Sequence, residues 1–209
     1  MNTIITIGRE YGSGGKEIAA ILAKRFDIPC YDRELILLAA EKSGLSRDVL
    51  ERVDETATNS FLYAISTGNY GMGGIYGSMD LPLNDKLFIA QSNVIREAAE
   101  AGPCVIVGRC ADAVLAQWGN VVSVFIWAEM DYRMKNVMAR ENVTDKKAVE
   151  IIAKKDKKRA SYYNFYTQKT WGVRQSYDLC INHTQLDAQA CADIIADYVL
   201  AREARAAAQ

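Results

Sequence analysis

Residues 8–17, GREYGSGGKE, place Gly8, Gly12, Gly14 and Gly15 within eight positions and follow them with Lys16. An apolar segment, TIITIG (3–8), leads in, and EIAAILAKRF (17–26) leads out with helical character. A helix N-terminus leaves its first amides unpaired and carries partial positive charge, so a glycine-rich turn running into one can wrap an anion with main-chain N–H groups. The chemistry this arrangement suggests is phosphate binding, with the cradle at Gly12, Ser13, Gly14, Gly15 and Lys16 and the Lys16 ammonium at its mouth.

The spacing matches neither common phosphate motif outright. G-x-G-x-x-G begun at Gly12 requires glycine where Glu17 stands, although Asp32, twenty residues on, sits where a ribose-binding acid would. G-x-x-x-x-G-K-[ST] finds Glu10 in place of its first glycine and Glu17 in place of the hydroxyl that ligates magnesium. Ser13 is the substitute metal ligand within reach. Gly12 follows Gly8 by four positions, a wide loop that suits a mononucleotide cradle better than a dinucleotide turn. The bland alternative is a glycine-rich turn that holds no ligand.

Other candidates lie further along the chain. Arg109 follows the apolar run CVIVG (104–108), where a solvated surface charge is out of place; ligand contact is the better reading and a structural salt bridge the alternative. A long basic helix is predicted from Thr144 to about Tyr162, and in it Lys155 and Arg159 share a face at i,i+4 with Asp156 one residue round. A phosphate-facing cluster and a solvated basic face both fit that pattern. His183, the sole histidine, follows the last apolar run and reads as an exposed side chain or a wall for a base. Five scattered cysteines show no zinc-ligand spacing, and Cys30, Cys104 and Cys180 read as small buried thiols. The rings of YYNFYTQKTW (162–171) read mainly as packing.

These residues need a frame. Near-continuous apolar runs at 3–8, 28–32, 104–108, 121–127 and 178–182 read as strands covered on both faces, and helical patterns separate them. That alternation predicts an α/β domain with a parallel sheet and right-handed crossovers. Helices are predicted over 84–101, stopped by Gly102-Pro103, from Ser46, and from Asp187 to a frayed C-terminus. Five glycines in 66–83 predict a loop, inside a long connection suited to a substrate-side insertion or lid. With 25 basic and 26 acidic residues among 209, no general field favours nucleic acid or an anionic membrane. No apolar run of spanning length and no signal-peptide pattern is present, so a cytoplasmic location is expected.

Five stretches, GREYGSGGKEIA (8–19), YDRELI (31–36), CVIVGRCADAVL (104–115), VFIWAEMDYRMKNVMARE (124–141) and KKDKKRASYYNFYTQKTWG (154–172), together resemble the cytidylate kinase-like family of P-loop kinases. The resemblance runs in order along nearly the whole chain. It implies a P-loop NTPase-type three-layer sandwich with a five-stranded parallel sheet. It also implies one domain over 1–209, with a helical and glycine-rich substrate-side insertion at 43–83 and a lid at about 140–172. The activity implied is magnesium-dependent transfer of the γ-phosphoryl group of ATP to a nucleoside monophosphate such as CMP or dCMP.

In that family an acid after the second strand and an arginine after the third serve the monophosphate, and the matching positions are Asp32 and Arg109. Asp112 stands nearby in GRCAD, displaced from a G-R-D spacing. Lys155, Asp156 and Arg159 resemble the family's R-D-x-x-R-like lid cluster, with lysine in the first place. Lys16, Arg109, Lys155 and Arg159 are then the catalytic cations, ATP and Mg2+ the cofactors, and small nucleotides the partners. Two rivals stand beside this reading. One is a kinase for another small acceptor, since fold does not fix substrate. The other is a nucleotide-binding regulatory module without catalysis, motivated by Glu17 in the hydroxyl position. The apolar and aromatic residues of 61–83 leave room for a homodimer.

Overall fold

A computed structural model of the chain describes residues 1–32 and 83–208. The helix expected from Ser46 and the insertion expected at 43–83, with its glycine-rich part, fall outside these residues apart from Leu83. Each of the five apolar runs forms a strand: β1 (Ile4–Arg9), β2 (Cys30–Tyr31), β3 (Val105–Val107), β4 (Val121–Trp127) and β5 (Leu179–Asn182). They make one sheet in the order β2-β3-β1-β4-β5, with every pairing parallel. The first strand is therefore the middle one. The helices are α1 (Gly15–Phe26), α2 (Leu83–Glu100), α3 (Ala111–Val114), α4 (Met130–Glu141), α5 (Asp145–Thr167) and α6 (Ala188–Ala207).

Strand side chains alternate between two cores, as the two-residue pleat requires. Ile5 and Ile7 of β1, Val105 and Val107 of β3, and Val122, Val124 and Ile126 of β4 pack with Ile18 and Leu22 of α1 and Ile195 and Val199 of α6. Ile4, Ile106 and Val121 point the other way, onto Val94 and Ile95 of α2, Ala111 of α3 and Leu115. The result is helix, sheet, helix, with the three central strands β3, β1 and β4 covered on both faces and the edge strand β5 exposed at Cys180. A third cluster joins α4 to α5 through Val137, Ala148 and Ile152 and reaches Tyr11 in the glycine loop.

Helix boundaries follow local chemistry. α1 starts at Gly15 behind Gly14 in a left-handed conformation (φ 83°) and ends at Asp27, also left-handed (φ 53°). The Asp187 side chain caps α6 by accepting from the Ala190 N–H at 2.7 Å. Two expectations change. The basic helix runs on to Thr167, because Tyr162, Tyr163 and Tyr166 bury their rings against Phe88 and Cys110 and so extend its packed face. α6 stays helical to Ala207 rather than fraying at its end. Among the described residues, no helix is long and apolar enough to cross a membrane.

Adjacent isoleucines on α6 give a test of this layering. Ile195 is fully buried and Ile194 is 45% exposed. Ile195→Ala is expected to cost about 2–5 kcal/mol in urea denaturation, and Ile194→Ala no more than about 0.5 kcal/mol.

Candidate active site

The glycine loop leaves β1 at the carboxyl edge of the sheet, the edge at which open parallel sheets bind ligands. Gly12 and Gly14 both have φ of +83°, a conformation that side chains rarely adopt. Each also lies hard against protein. A Cβ on Gly12 would come within 2.9 Å of the Arg133 carbonyl oxygen, and one on Gly14 would collide with the His183 ring. These glycines thus let the loop pack down on α4 and on the turn after β5. On its other side the loop lines an open cleft of about 950 Å³, through Gly12, Gly14, Gly15 and Lys16. Among the described residues, no intramolecular acceptor serves the amides of Gly12, Gly14 and Gly15. The cleft is closed opposite by Tyr132, Asn136 and Arg140, which lie along one face of α4.

A buried arginine holds the loop in place. Arg133 of α4 is 5% exposed. Its Nε donates to the Tyr11 carbonyl at 2.8 Å, its Nη1 lies 3.0 Å from Glu10 Oε2, and its Nη2 pairs with Asp156 of α5. Asp156 also accepts from the Tyr11 N–H at 2.8 Å, Glu10 accepts from the Ala128 N–H at 3.2 Å, and Asn136 donates to the Gly12 carbonyl at 2.9 Å. Burial pushes the Glu10 carboxyl above its usual range, against the opposing pull of Arg133. The sequence shows Glu10 only as a departure from the common phosphate motif, not as the anchor of a buried arginine. The signal was Glu10 itself, an acid where the common phosphate loop has a glycine.

The sequence candidates fall into distinct places. Lys16 Nζ pairs with Asp32 Oδ2 at 2.7 Å, and the Lys16 side chain is 73% exposed. Arg159 donates through Nη1 to the Arg9 carbonyl at 3.1 Å, while Lys155 and Arg159 both lie over the Tyr11 ring, at 5.8 and 5.2 Å, joined by Arg140 at 4.7 Å. Three cations therefore gather around one aromatic ring beside the loop. Arg109 is buried, with φ of +59°, and lines with Asp112 a second, small cavity of about 30 Å³. Tyr163 donates to Asp112 Oδ2 at 2.6 Å, and burial raises the pKa of the Asp112 carboxyl. The same burial, with Asp112 adjacent, pushes the Tyr163 phenol up.

Three expectations are corrected. The Ser13 hydroxyl is fully buried and turned inward onto the Glu10 and Ile126 carbonyls, at 2.9 and 3.1 Å, so it does not face a metal. His183 is 2% exposed rather than on the surface. Its Nδ1 lies 2.7 Å from the Ser13 carbonyl, which can only accept, so Nδ1 carries the proton. Cys180 is exposed, since its strand lies at the sheet edge; Cys104 is buried, its thiol pushed up to about 11.

Residues 4–185 match the cytidylate kinase-like family. The chain belongs to that family. An uncharacterized protein from Eubacterium ventriosum ATCC 27560 has a solved structure that is 33% identical, covering 94% of this chain and 98% of that one at a TM-score of 0.68. TT1252 from Thermus thermophilus is 15% identical over 96% and 97% of the chains at 0.55. A shikimate kinase from Bacteroides thetaiotaomicron is 12% identical over 95% and 99% at 0.52. At such identities these last two speak for the fold alone, which is that of P-loop kinases. No curated protein matches the sequence.

Two outcomes test the geometry. Arg133→Met leaves two carboxylates facing each other without their cation and is expected to cost about 3–5 kcal/mol in urea denaturation, with Arg133→Lys intermediate. For Asp112, a raised native pKa means the folded state keeps a proton that the unfolded chain has given up. Stability from this group therefore falls as pH rises from the ordinary value of 3.8 through the raised one. Asp112→Asn keeps an oxygen for Tyr163 and cannot ionise, so its stability relative to the parent chain is expected to grow as pH climbs from about 4 to 8.

Proposed function

We propose that the chain is an ATP-dependent phosphotransferase that acts on a small acceptor such as CMP or dCMP. The observation that carries this reading is the cleft of about 950 Å³ at the carboxyl edge, walled by the 12–16 loop and bordered by Arg9, Arg140 and Arg159. Its size suits a nucleoside triphosphate, and its walls supply main-chain donors and guanidinium groups rather than carboxylates alone. Phosphoryl transfer asks the protein mainly to position reactants and to meet charge that spreads over the moving group.

The amides of Gly12, Gly14 and Gly15 hold the donor phosphates with Lys16 beside them, while Ser13 serves the loop's own shape, its N–H donating to the Glu10 carbonyl at 3.4 Å. Arg159 on α5 presents a cation to the same space, and Lys155 stands near it over the Tyr11 ring. Asp32 and Arg109 orient the acceptor, and Asp112 backs Arg109 from the small cavity. The acceptor oxygen forms a bond to the γ-phosphorus as the bond from that phosphorus to the β,γ-bridging oxygen breaks, its electron pair leaving with ADP. An acceptor phosphate is already ionised at neutral pH, so no general base is required for CMP. The residues fit a magnesium ion carried in on phosphate oxygens and water, with Asp32 or Glu17 as the nearby carboxylate. Such an ion would neutralise negative charge on the donor phosphates. Among the described residues no group of three acidic, cysteine or histidine side chains could cage one unaided.

One observation favours a second acceptor class. The cavity shared by Arg109 and Asp112 holds about 30 Å³, room for a few water molecules and far less than a nucleoside. A compact hydroxyl-bearing acceptor seated against Arg109 fits that space better than CMP does.

Calorimetric titration with ATP and magnesium, followed by ADP production with CMP, dCMP and small polyols as acceptors, separates these readings. Binding is expected to raise the unfolding midpoint, with a stabilisation of about 2.7 kcal/mol at a hundred times Kd. Turnover that requires CMP supports the first reading, and turnover with a polyol alone the second. Binding without turnover on any acceptor supports a regulatory module. Neither heat nor a shifted midpoint defeats all three.

A further inference from the structure

Lys16 is a poor candidate for the cation at the reacting phosphate. Its side chain is 73% exposed and its ammonium is held by Asp32. Arg9 is better placed. It is the last residue of β1, the middle strand, and lies at the carboxyl edge in register with Ile126 of β4. Its side chain then crosses the floor of the site by a route that two glycines on different elements leave open. A Cβ on Gly15, the first residue of α1, would come within 2.7 Å of Arg9 Cβ. A Cβ on Gly108, just past β3, would collide with Arg9 Nη1. The stem thus passes the phosphate loop and the guanidinium arrives beside the turn that carries Arg109. Among the described residues, only Arg9 and Arg159 line both the large cleft and the small cavity.

We propose that Arg9 is the residue that meets the terminal phosphate of a bound nucleoside triphosphate, taking the part that a loop lysine plays in the common G-x-x-x-x-G-K-[ST] motif. This rests on the proposed function. The lysine drawn aside by Asp32 and the arginine on the strand belong to one arrangement: Gly15 and Gly108 leave the space through which a cation from the strand stands in for one from the loop. A guanidinium suits the place because its planar fork can hold two phosphoryl oxygens at once, whereas an ammonium offers a point charge. Its backbone is steadied from α5, since Arg159 donates to the Arg9 carbonyl at 3.1 Å. Arg9 therefore reads the last phosphate, and the amides of Gly12, Gly14 and Gly15 read those nearer the nucleoside.

Calorimetric affinities for ATP and ADP with magnesium, measured on the parent chain and on Arg9→Gln, Arg9→Lys and Lys16→Gln, test this without requiring turnover. Arg9→Gln is expected to weaken ATP by about tenfold or more while leaving ADP within about twofold. Arg9→Lys should recover part of the ATP affinity. Lys16→Gln should move ATP and ADP together. Thermal unfolding of each ligand-free variant shows whether it folds, and if Arg9→Gln does not, the selective loss of ATP over ADP in Arg9→Lys carries the test. A parent chain that binds ATP, paired with Arg9 variants that keep its preference over ADP, overturns the role of Arg9 and leaves the proposed function standing. A parent chain that binds neither nucleotide removes the proposed function, and this inference falls with it.

Discussion

The Arg133 guanidinium is the contact on which the site depends. It is almost wholly buried, and it touches the glycine loop twice, through the Tyr11 carbonyl and the Glu10 carboxylate, before pairing with Asp156 on α5. A charge in that position is tolerable only because each part of its fork has an anion or a carbonyl to meet. The arrangement joins three elements that the sheet alone would leave apart: the turn after β1, α4 and α5. The loop is thereby set before any ligand arrives, which favours binding by removing an ordering cost.

Seen from Arg133, the departures from the common phosphate motif belong together. Glu10 stands where a glycine would because it is needed as an anchor for the arginine. Ser13 turns its hydroxyl into the fold and joins the loop to β4 through the Ile126 carbonyl. Gly14 is bare because the His183 ring lies over it, and His183 in turn donates to Ser13. The loop faces inward through its side chains and outward through its main chain. Beside that main chain Arg140, Lys155 and Arg159 gather around the Tyr11 ring, although the overall charge is only −1.

The fold was legible because apolar runs in a doubly covered parallel sheet leave a dense signal. VVSVFIW becomes β4 over the same seven residues, and Gly102 with Pro103 marks the end of α2 to within a residue. The pairing of Lys155 with Arg159 on one helical face was also readable, since i,i+4 spacing puts both over one ring. What composition could not reveal were contacts made by side chains far apart in sequence. Arg133 and Glu10 are separated by more than a hundred positions, and nothing local distinguishes this arginine from a surface one. His183 was misread for the same reason: its burial comes from Gly14, 169 positions earlier, not from its neighbours. Cys180 failed in the opposite sense, because an apolar strand at the sheet edge exposes one face.

The order β2-β3-β1-β4-β5 places the earliest strand between the two that complete it, Val105–Val107 and Val121–Trp127. During synthesis, at about 5–20 residues per second, β1 emerges several seconds before either neighbour exists. For that interval Ile4, Ile5 and Ile7 have no sheet to join, and the glycine turn behind them has no α4 to rest on. The nascent chain must shelter its own centre, which makes the most protected strand of the finished protein the most vulnerable one on the ribosome.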